Sequence, residues 1–286
     1  MERLKEIKEK GVDSATPEDI LIGLGVITEF INTNPEAQNL IKNFELTGNF
    51  DVEGVGNYIL SIANGKSEYA QKSISEPSFS IFANLKSLTE ILIGQLDASM
   101  AFITGDIEVA GDFGKMVDFF EVMELVYNKL ELVEKEERTT LVDAKTMRKF
   151  YNLYMEFSTD KSIEIDPNDI PLIFDIFCTF ANLNKEAIDV MEDEEFLVQM
   201  VIPDVNTYVV KAENGKVSWS EGEIENPSLQ FVLELNTAAD VFLSGDAASA
   251  FLDGKIEASG NIAEALVLND LVEIFLEMLP FTEKEE

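Results

Sequence analysis

The sequence contains no histidine among its 286 residues and only one cysteine, Cys178. The absence of histidine excludes Ser-His-Asp and Cys-His nucleophilic sites and the usual zinc sites. The commonest acid–base group near neutral pH is missing as well. A single cysteine excludes an intrachain disulfide and favours a reducing compartment, with Cys178 itself a small buried apolar residue. We therefore expect no catalytic activity, no cofactor and no metal.

Basic residues are also scarce: 21 Lys and Arg stand against 55 Asp and Glu, which gives a formal net charge of −34. A field of this sign repels phosphate backbones and anionic lipid surfaces. The charge therefore disfavours nucleic acid as a partner and polybasic docking to membranes. A hydrolase that uses paired carboxylates remains a remote alternative, because Asp and Glu side chains are mostly exposed and solvated.

Long apolar runs are absent too. The two most apolar stretches, residues 20–28 and 172–181, fall well short of the roughly 18 residues that a membrane-spanning helix needs. The first six residues lack the apolar core of a secretory signal. We expect a cytoplasmic protein, and nothing in the sequence predicts an obligate protein partner.

The chain repeats itself with an offset of 150 residues. Asn64-Gly65-Lys66 recurs as Asn214-Gly215-Lys216, and the stretch from residue 17 to residue 37 aligns with 167–187 without a gap. Eight positions match there, where ordinary residue usage gives about one. A period this long is a whole domain and not the short unit of a solenoid. We predict two domains, residues 1–135 and 136–286.

Each copy shows the same order of patterns. A helix capped by Thr16 or Asp166 and a second short helix are followed by two strands joined at Asn-Gly, the strongest short hairpin signal. A third strand alternates apolar and polar residues, which indicates one buried and one wet face. The copy is completed by four further elements. These are a helix with a capping box at Ser87, a helical turn, a strand between two glycines and a long amphipathic helix. Residues 131–138 are charged and are predicted to prolong that helix. The fold class is α+β, with a small, mostly antiparallel sheet and helices on one face, twice over.

Two segments resemble the signature of the sterol-carrier-protein lipid-transfer domain, the family of non-specific lipid-transfer proteins. Residues 101–112 read Ala-Phe-Ile-Thr-Gly-Asp-Ile-Glu-Val-Ala-Gly-Asp, and residues 250–261 read Ala-Phe-Leu-Asp-Gly-Lys-Ile-Glu-Ala-Ser-Gly-Asn. The second is the closer match, because Asp106 stands where the family usually has lysine. The resemblance covers about residues 44–130 and 194–280. It implies two tandem sterol-carrier-protein-like domains, each with a five-stranded sheet.

The same resemblance implies an apolar tunnel in each domain that takes up fatty acyl chains, sterols, isoprenoids or phospholipids, without catalysis. Such a ligand needs a largely hydrocarbon wall. The side chains available for this wall in the first copy are Phe79, Phe82, Ile91, Phe102, Ile103, Ile107, Met116, Phe119, Phe120 and Met123. Those in the second copy are Phe231, Phe242, Phe251, Leu252, Ile256, Leu266, Leu271 and Phe275. Each of these is equally an ordinary core residue.

Two readings therefore remain. The chain binds and transfers a lipid or another apolar small molecule, or it is a non-catalytic interaction module with a filled core, accessory to a lipid-modifying enzyme. A cavity of about 300 Å³ or more favours the first reading and a close-packed interior the second. Because of the charge, transient membrane contact is expected to use an apolar rim near Leu279-Pro280-Phe281. Binding that strengthens sharply on anionic vesicles would contradict this expectation.

Overall fold

The computed structural model describes residues 2–130, 132 and 142–279. The chain divides into two compact units, Met1–Arg148 and Lys149–Glu286, which are described separately below. The predicted boundary between residues 135 and 136 and the predicted helix over 131–138 lie outside the described residues, apart from Leu132, and stay predictions. Among the described residues, no helix is both long and apolar enough to cross a bilayer.

The first unit is an α+β domain built from six α-helices, one 3-10 helix (Val12–Ser14) and five strands among its described residues. In chain order these are α1 (Glu2–Lys10), α2 (Pro17–Thr33), α3 (Pro35–Ile41), β1 (Leu46–Val52), β2 (Gly56–Ala63), β3 (Lys66–Gln71), β4 (Phe79–Ala83), α4 (Leu85–Leu92), α5 (Ala98–Ile103), β5 (Glu108–Gly111) and α6 (Phe113–Leu130). Helix α7 (Ala144–Thr159) contains the division between the units.

The sheet of the first domain has the strand order β3-β2-β1-β4-β5. Strands β1 and β4 are parallel, and the other three neighbouring pairs are antiparallel. The prediction of a small, mostly antiparallel five-stranded sheet is therefore confirmed. Along β1, Leu46, Gly48, Phe50 and Val52 are buried and alternate with the more exposed Thr47 and Asp51, while Asn49 between them is buried as well. This alternation places the core on one face of the sheet.

The second unit repeats this architecture. It contains α8 (Asp169–Leu183), α9 (Lys185–Met191), β6 (Phe196–Ile202), β7 (Asn206–Glu213), β8 (Lys216–Glu221), β9 (Leu229–Leu233), α10 (Leu235–Ser244), α11 (Ala247–Leu252), β10 (Ile256–Gly260) and α12 (Ile262–Met278). Its strand order is β10-β9-β6-β7-β8, with β6 and β9 parallel. The repeat that the sequence shows is thus a repeat of one fold.

The turn signals in the sequence are confirmed in both domains. Asn64 and Gly65, and likewise Asn214 and Gly215, have positive φ angles between 53° and 68°. These are the two central residues of a tight hairpin turn, and Ala63 pairs with Lys66 directly across it. Positive φ at both positions is what a type I′ turn requires, which explains the Asn-Gly pair.

Two helix starts differ from the prediction. Helix α4 is capped by Asn84, whose side chain accepts a hydrogen bond from the Ser87 N–H at 2.8 Å, so Ser87 lies inside the helix. Helix α8 begins at Asp169 and not directly after Asp166. In both cases a second residue of the capping type lies within three positions of the predicted one, and sequence cannot decide between them.

Candidate functional site

The second domain contains an apolar cavity of about 240 Å³. It lies between the sheet and helices α10, α11 and α12. The side chains around it come from six elements and are almost entirely hydrocarbon, and Asn269 is the exception. The lining residues are Met200, Phe231, Leu233, Val241, Phe242, Ala247, Ala248, Phe251, Ile256, Ala258, Ile262, Ala265, Leu266, Leu268, Asn269 and Val272.

The cavity exists where α12 carries smaller side chains than its counterpart α6. Both helices start two residues after a glycine, Gly111 or Gly260, so their positions can be matched with an offset of 149. The first domain then has the larger or more apolar residue at five matched positions on the inner face of the helix. The pairs are Phe113 and Ile262, Met116 and Ala265, Phe119 and Leu268, Phe120 and Asn269, and Met123 and Val272.

In the first domain these larger side chains are buried, and Phe119 packs against three neighbouring rings. The ring of Phe119 lies 5.5 Å from that of Phe50, 5.7 Å from Phe79 and 6.2 Å from Phe120 between ring centroids. Met116 and Met123 are fully buried beside them on the same helix. Offset and edge-on ring pairs at these distances are favourable packing. Side chains therefore occupy the positions that surround the cavity in the second domain.

The mouth of the cavity is marked by exposed apolar side chains. Phe251 is 51% exposed, Ile262 49% and Leu266 65%, and the neighbouring Leu252 is 84% exposed. Their counterparts in the first domain, Phe102, Phe113, Val117 and Ile103, are all buried. Large apolar side chains that are grouped at a surface indicate a binding site, whereas single scattered ones are common on any protein. We call the group Phe251, Leu252, Ile262 and Leu266 the apolar rim.

In the first domain a basic side chain from α7 binds to α6. Arg148 donates to Asp118 at 2.6 Å, to Glu121 at 3.0 Å and to the Gly114 carbonyl at 3.2 Å, all on α6. The matched residues of α12 are Val267, Asp270 and Ala263. Only one of these carries a carboxylate, so the arginine anchor has no equivalent set of acceptors on α12.

Of the eight predicted wall residues in the second copy, the structure brings five together around the cavity: Phe231, Phe242, Phe251, Ile256 and Leu266. Leu252 lies at the rim and is mostly solvent-exposed. Leu271 and Phe275 are buried elsewhere. Phe275 packs its ring against Phe150, Phe177 and Phe180, on the side of α12 that faces the other helices. That any of the eight contacts a ligand stays a prediction.

Of the ten predicted wall residues in the first copy, nine are buried. They are Phe79, Ile91, Phe102, Ile103, Ile107, Met116, Phe119, Phe120 and Met123. The structure differs from the prediction at Phe82, which is exposed. Neighbours on a strand point to opposite faces, so Phe82 lies on the outer face of β4 while Phe79 and Ile81 face the core. Phe82 therefore does not line the interior of its domain.

The predicted membrane rim also differs from the structure where it can be examined. Leu279 is buried, and Pro280 and Phe281 lie outside the described residues. Leu279 therefore offers no exposed apolar surface. The contact with membranes stays a prediction.

The described lining of the cavity contains no ionisable side chain. Within residues 2–130, 132 and 142–279, no group of three or more Cys, Asp and Glu side chains is placed to hold a metal ion. Burial raises the pKa of the Cys178 thiol to about 12, with a further contribution from the charge of Asp175. Because the thiolate is the reactive form, Cys178 is a poor nucleophile at neutral pH.

Sequence reasoning missed the alanines and the asparagine of the cavity wall. Large apolar side chains indicate a core, because they are the residues that fill one. The signal in the sequence that indicates the cavity is a small or polar residue where the other copy has a large apolar one. Ala265 and Asn269 are such residues, matched to Met116 and Phe120. A matched comparison of the two copies, position by position, identifies the space that the smaller residues leave.

Comparison with known families gives one match. Residues 27–124 match the model of the SCP-2 sterol transfer family. This segment is about a third of the chain and lies in the first domain. No curated protein sequence matches the chain.

Several solved structures are similar to part of the chain. Sterol carrier protein domain 2 of Helicoverpa armigera is 18% identical over 40% of this chain and 94% of its own, with a TM-score of 0.35. Palmitated SCP2L2 from Aedes aegypti is 19% identical over 38% of this chain and 94% of its own, with a TM-score of 0.32. The sec-alkylsulfatase Pisa1 from Pseudomonas sp. is 15% identical over 38% of this chain, with a TM-score of 0.31. The match spans only 16% of the sulfatase.

Proposed function

We propose that the chain binds a lipid or similar apolar molecule in the cavity of the second domain and transfers it between apolar environments. The single observation that carries this proposal is the nearly all-hydrocarbon wall of the cavity. Its volume of about 240 Å³ falls below the value of about 300 Å³ that favours a ligand site, which restricts the proposal to a small ligand. The match to a sterol transfer family covers residues 27–124, so it lies in the first domain and not around this cavity. The proposed function includes no catalysis and no cofactor.

The size of the cavity limits the ligand. At ~30 Å³ for each water-sized group, the cavity holds about eight such groups. This matches one medium-length hydrocarbon chain and is too small for the fused rings of a sterol. Burying about eight methylenes at ~0.8 kcal/mol each corresponds to a Kd on the order of tens of micromolar. We therefore propose a single-chain ligand whose remaining atoms lie at the apolar rim.

The rim supports transfer in addition to storage. Phe251, Ile262 and Leu266 both line the cavity and reach solvent. A ligand that leaves the cavity therefore passes along hydrocarbon before it meets water, which lowers the cost of exit into a second apolar environment.

The first domain supports a different role. Its matched positions carry Phe113, Met116, Phe119, Phe120 and Met123, all buried. This favours the second reading of the sequence, an interaction module with a filled core, for this domain only. We propose that the first domain binds no apolar ligand in its interior.

The test of the proposed function is a cavity-filling substitution with a matched control. Ala265→Met introduces the residue that the first domain has at the same position, and we expect the affinity for an alkyl-chain probe to fall about tenfold or more because the cavity volume is lost. Ala263→Met adds the same side chain two residues away, at an exposed position outside the lining, and should leave the affinity unchanged. The measurement is displacement of a fluorescent neutral probe from the full chain. Equal affinities in the two variants would place the ligand outside this cavity and refute the proposal.

A further inference from the structure

The described lining of the cavity contains one polar side chain, at a position where the first domain has phenylalanine. Asn269 is that side chain, and its counterpart is the buried Phe120. A polar side chain on the inner face of a helix destabilises the packing unless its polar atoms form hydrogen bonds. Sequences place polar residues at such apolar core positions mainly at functional sites, so Asn269 is a candidate for one.

The hydrogen bonds of Asn269 define what it can offer. Its side-chain nitrogen donates to Glu273 Oε1 at 2.6 Å, one turn further along α12. Its Oδ1 accepts no hydrogen bond from the residues that the structure describes. With the nitrogen engaged by a carboxylate, the amide presents an acceptor oxygen. A ligand group that meets Asn269 must therefore donate a hydrogen bond.

The charges around Asn269 oppose an anionic ligand. The described lining contains no lysine or arginine. The nearest basic residue along the wall strands, Lys255, lies in a separate polar groove and contacts Asp253 at 3.5 Å. Glu273 adjoins Asn269 directly. A ligand carboxylate placed at Asn269 would face the exposed carboxylate of Glu273 without a cation in the described lining to offset the repulsion.

We propose that the cavity selects uncharged single-chain ligands that end in a hydrogen-bond donor, such as an alkyl alcohol, and rejects the corresponding carboxylate. The hydroxyl of the ligand donates to Asn269 Oδ1, and Glu273 excludes anions by holding the amide and by its own charge. This proposal rests on the proposed function, because it assigns the ligand class of the same cavity.

The first experiment compares octan-1-ol, octanoate and 1-methoxyheptane as competitors for a fluorescent neutral probe on the full chain at neutral pH. Octan-1-ol and the ether have the same atom count, but only the alcohol donates. We expect octan-1-ol to bind about tenfold or more tightly than octanoate, and several-fold more tightly than the ether, because a hydrogen bond is lost in each comparison.

Three variants then separate the roles of the two side chains. Asn269→Leu should bind octan-1-ol and 1-methoxyheptane equally, because the acceptor is gone while the wall remains apolar. Glu273→Gln should raise the affinity for octanoate several-fold, because it removes the charge and keeps a side chain of the same length. Glu277→Gln removes one carboxylate one turn further on, at an exposed position outside the lining, and should leave all three affinities unchanged.

The outcomes distinguish this proposal from the proposed function. If octanoate binds as tightly as octan-1-ol, the selection of neutral donors is refuted while an apolar site remains. If Glu273→Gln and Glu277→Gln have the same effect, the assignment of Glu273 is refuted. If none of the three competitors binds, both the ligand class and the proposed function fail together.

Discussion

Single residues at matched positions of the two domains behave differently, and Asp19 and Asp169 are the clearest pair. Burial raises the pKa of Asp19, but hydrogen bonds from the Thr16 hydroxyl, from Lys10 and from the Thr16 N–H outweigh it, so the pKa lies below its ordinary value. At Asp169, burial raises the pKa, and the Asp166 N–H at 3.3 Å only partly offsets it. Nearby Asp166 and Glu156 raise it further.

The opposite shifts predict opposite effects of neutralisation. A lowered pKa means that ionised Asp19 stabilises the fold above its ordinary value of 3.8, and that this stability is lost as the pH falls through the folded-state pKa. Asp19→Asn should therefore lower the unfolding free energy at neutral pH by about 1 kcal/mol, typical of a lost cap. The loss should shrink as the pH falls below 4.

Asp169→Asn should not destabilise the second domain at neutral pH. Its raised pKa means that the ionised form is disfavoured in the fold at pH values above the folded-state pKa, and that this penalty disappears as the pH falls through it. Denaturant unfolding at several pH values measures both effects. The single tryptophan, Trp219, reports on the second domain, and circular dichroism follows both. Equal losses in the two variants at neutral pH would contradict the account.

The sequence predicts the conformation or role of a single residue only where few residue types can take that position. The positive-φ turn residues Asn64 and Gly65 were predicted, because few residues adopt that backbone. The cap at Asn84 was missed, because Ser87 is an equally good capping type. Whether Asn269 faces a cavity or solvent depends on packing that no local pattern records.

At the scale of elements, helices α6 and α12 explain the difference between the domains. Each has the same length to within one residue and the same place in the fold. The inner face of α6 carries aromatic and methionine side chains, whereas that of α12 carries Ala265, Leu268, Asn269 and Val272. The space that the smaller side chains leave does not close, because a packed core relaxes only partly when side-chain atoms are removed.

Reciprocal substitutions at one matched position test this difference. Met116→Ala removes a fully buried side chain and should cost the first domain about 2–5 kcal/mol. Ala265→Met places the same side chain into existing space and should leave the second domain unchanged or more stable. Hydrogen exchange resolved along the chain measures both domains in one experiment. A loss of several kcal/mol in Ala265→Met would show that the second interior is already full.

Most elements could be predicted from the sequence, and β1 shows why some could not. The strand Leu46–Val52 contains Gly48, Asn49 and Asp51, residues that are depleted in strands. It is nevertheless central, paired with β2 and β4. Gly48 is explained by its surroundings, because a Cβ there would lie 2.6 Å from the Phe79 ring. Tertiary contacts of this kind override local preference.

For the whole molecule, the repeat predicted the architecture but not the difference between the two interiors. Two copies of one fold led to the expectation of a tunnel in each. The structure has larger, buried side chains at the matched positions of the first domain, and an apolar cavity with an exposed rim in the second. A duplicated fold allows this divergence, because one copy can retain stable packing while the other keeps open space for a ligand.

The number of ligands bound per chain tests this account most directly. Native mass spectrometry of the full chain with octan-1-ol or a longer alkyl alcohol counts bound molecules, and the same measurement on Ala265→Met identifies the domain that holds them. The account predicts one ligand per chain in the natural sequence and none in Ala265→Met. Two ligands per chain, or one that persists in Ala265→Met, would contradict it.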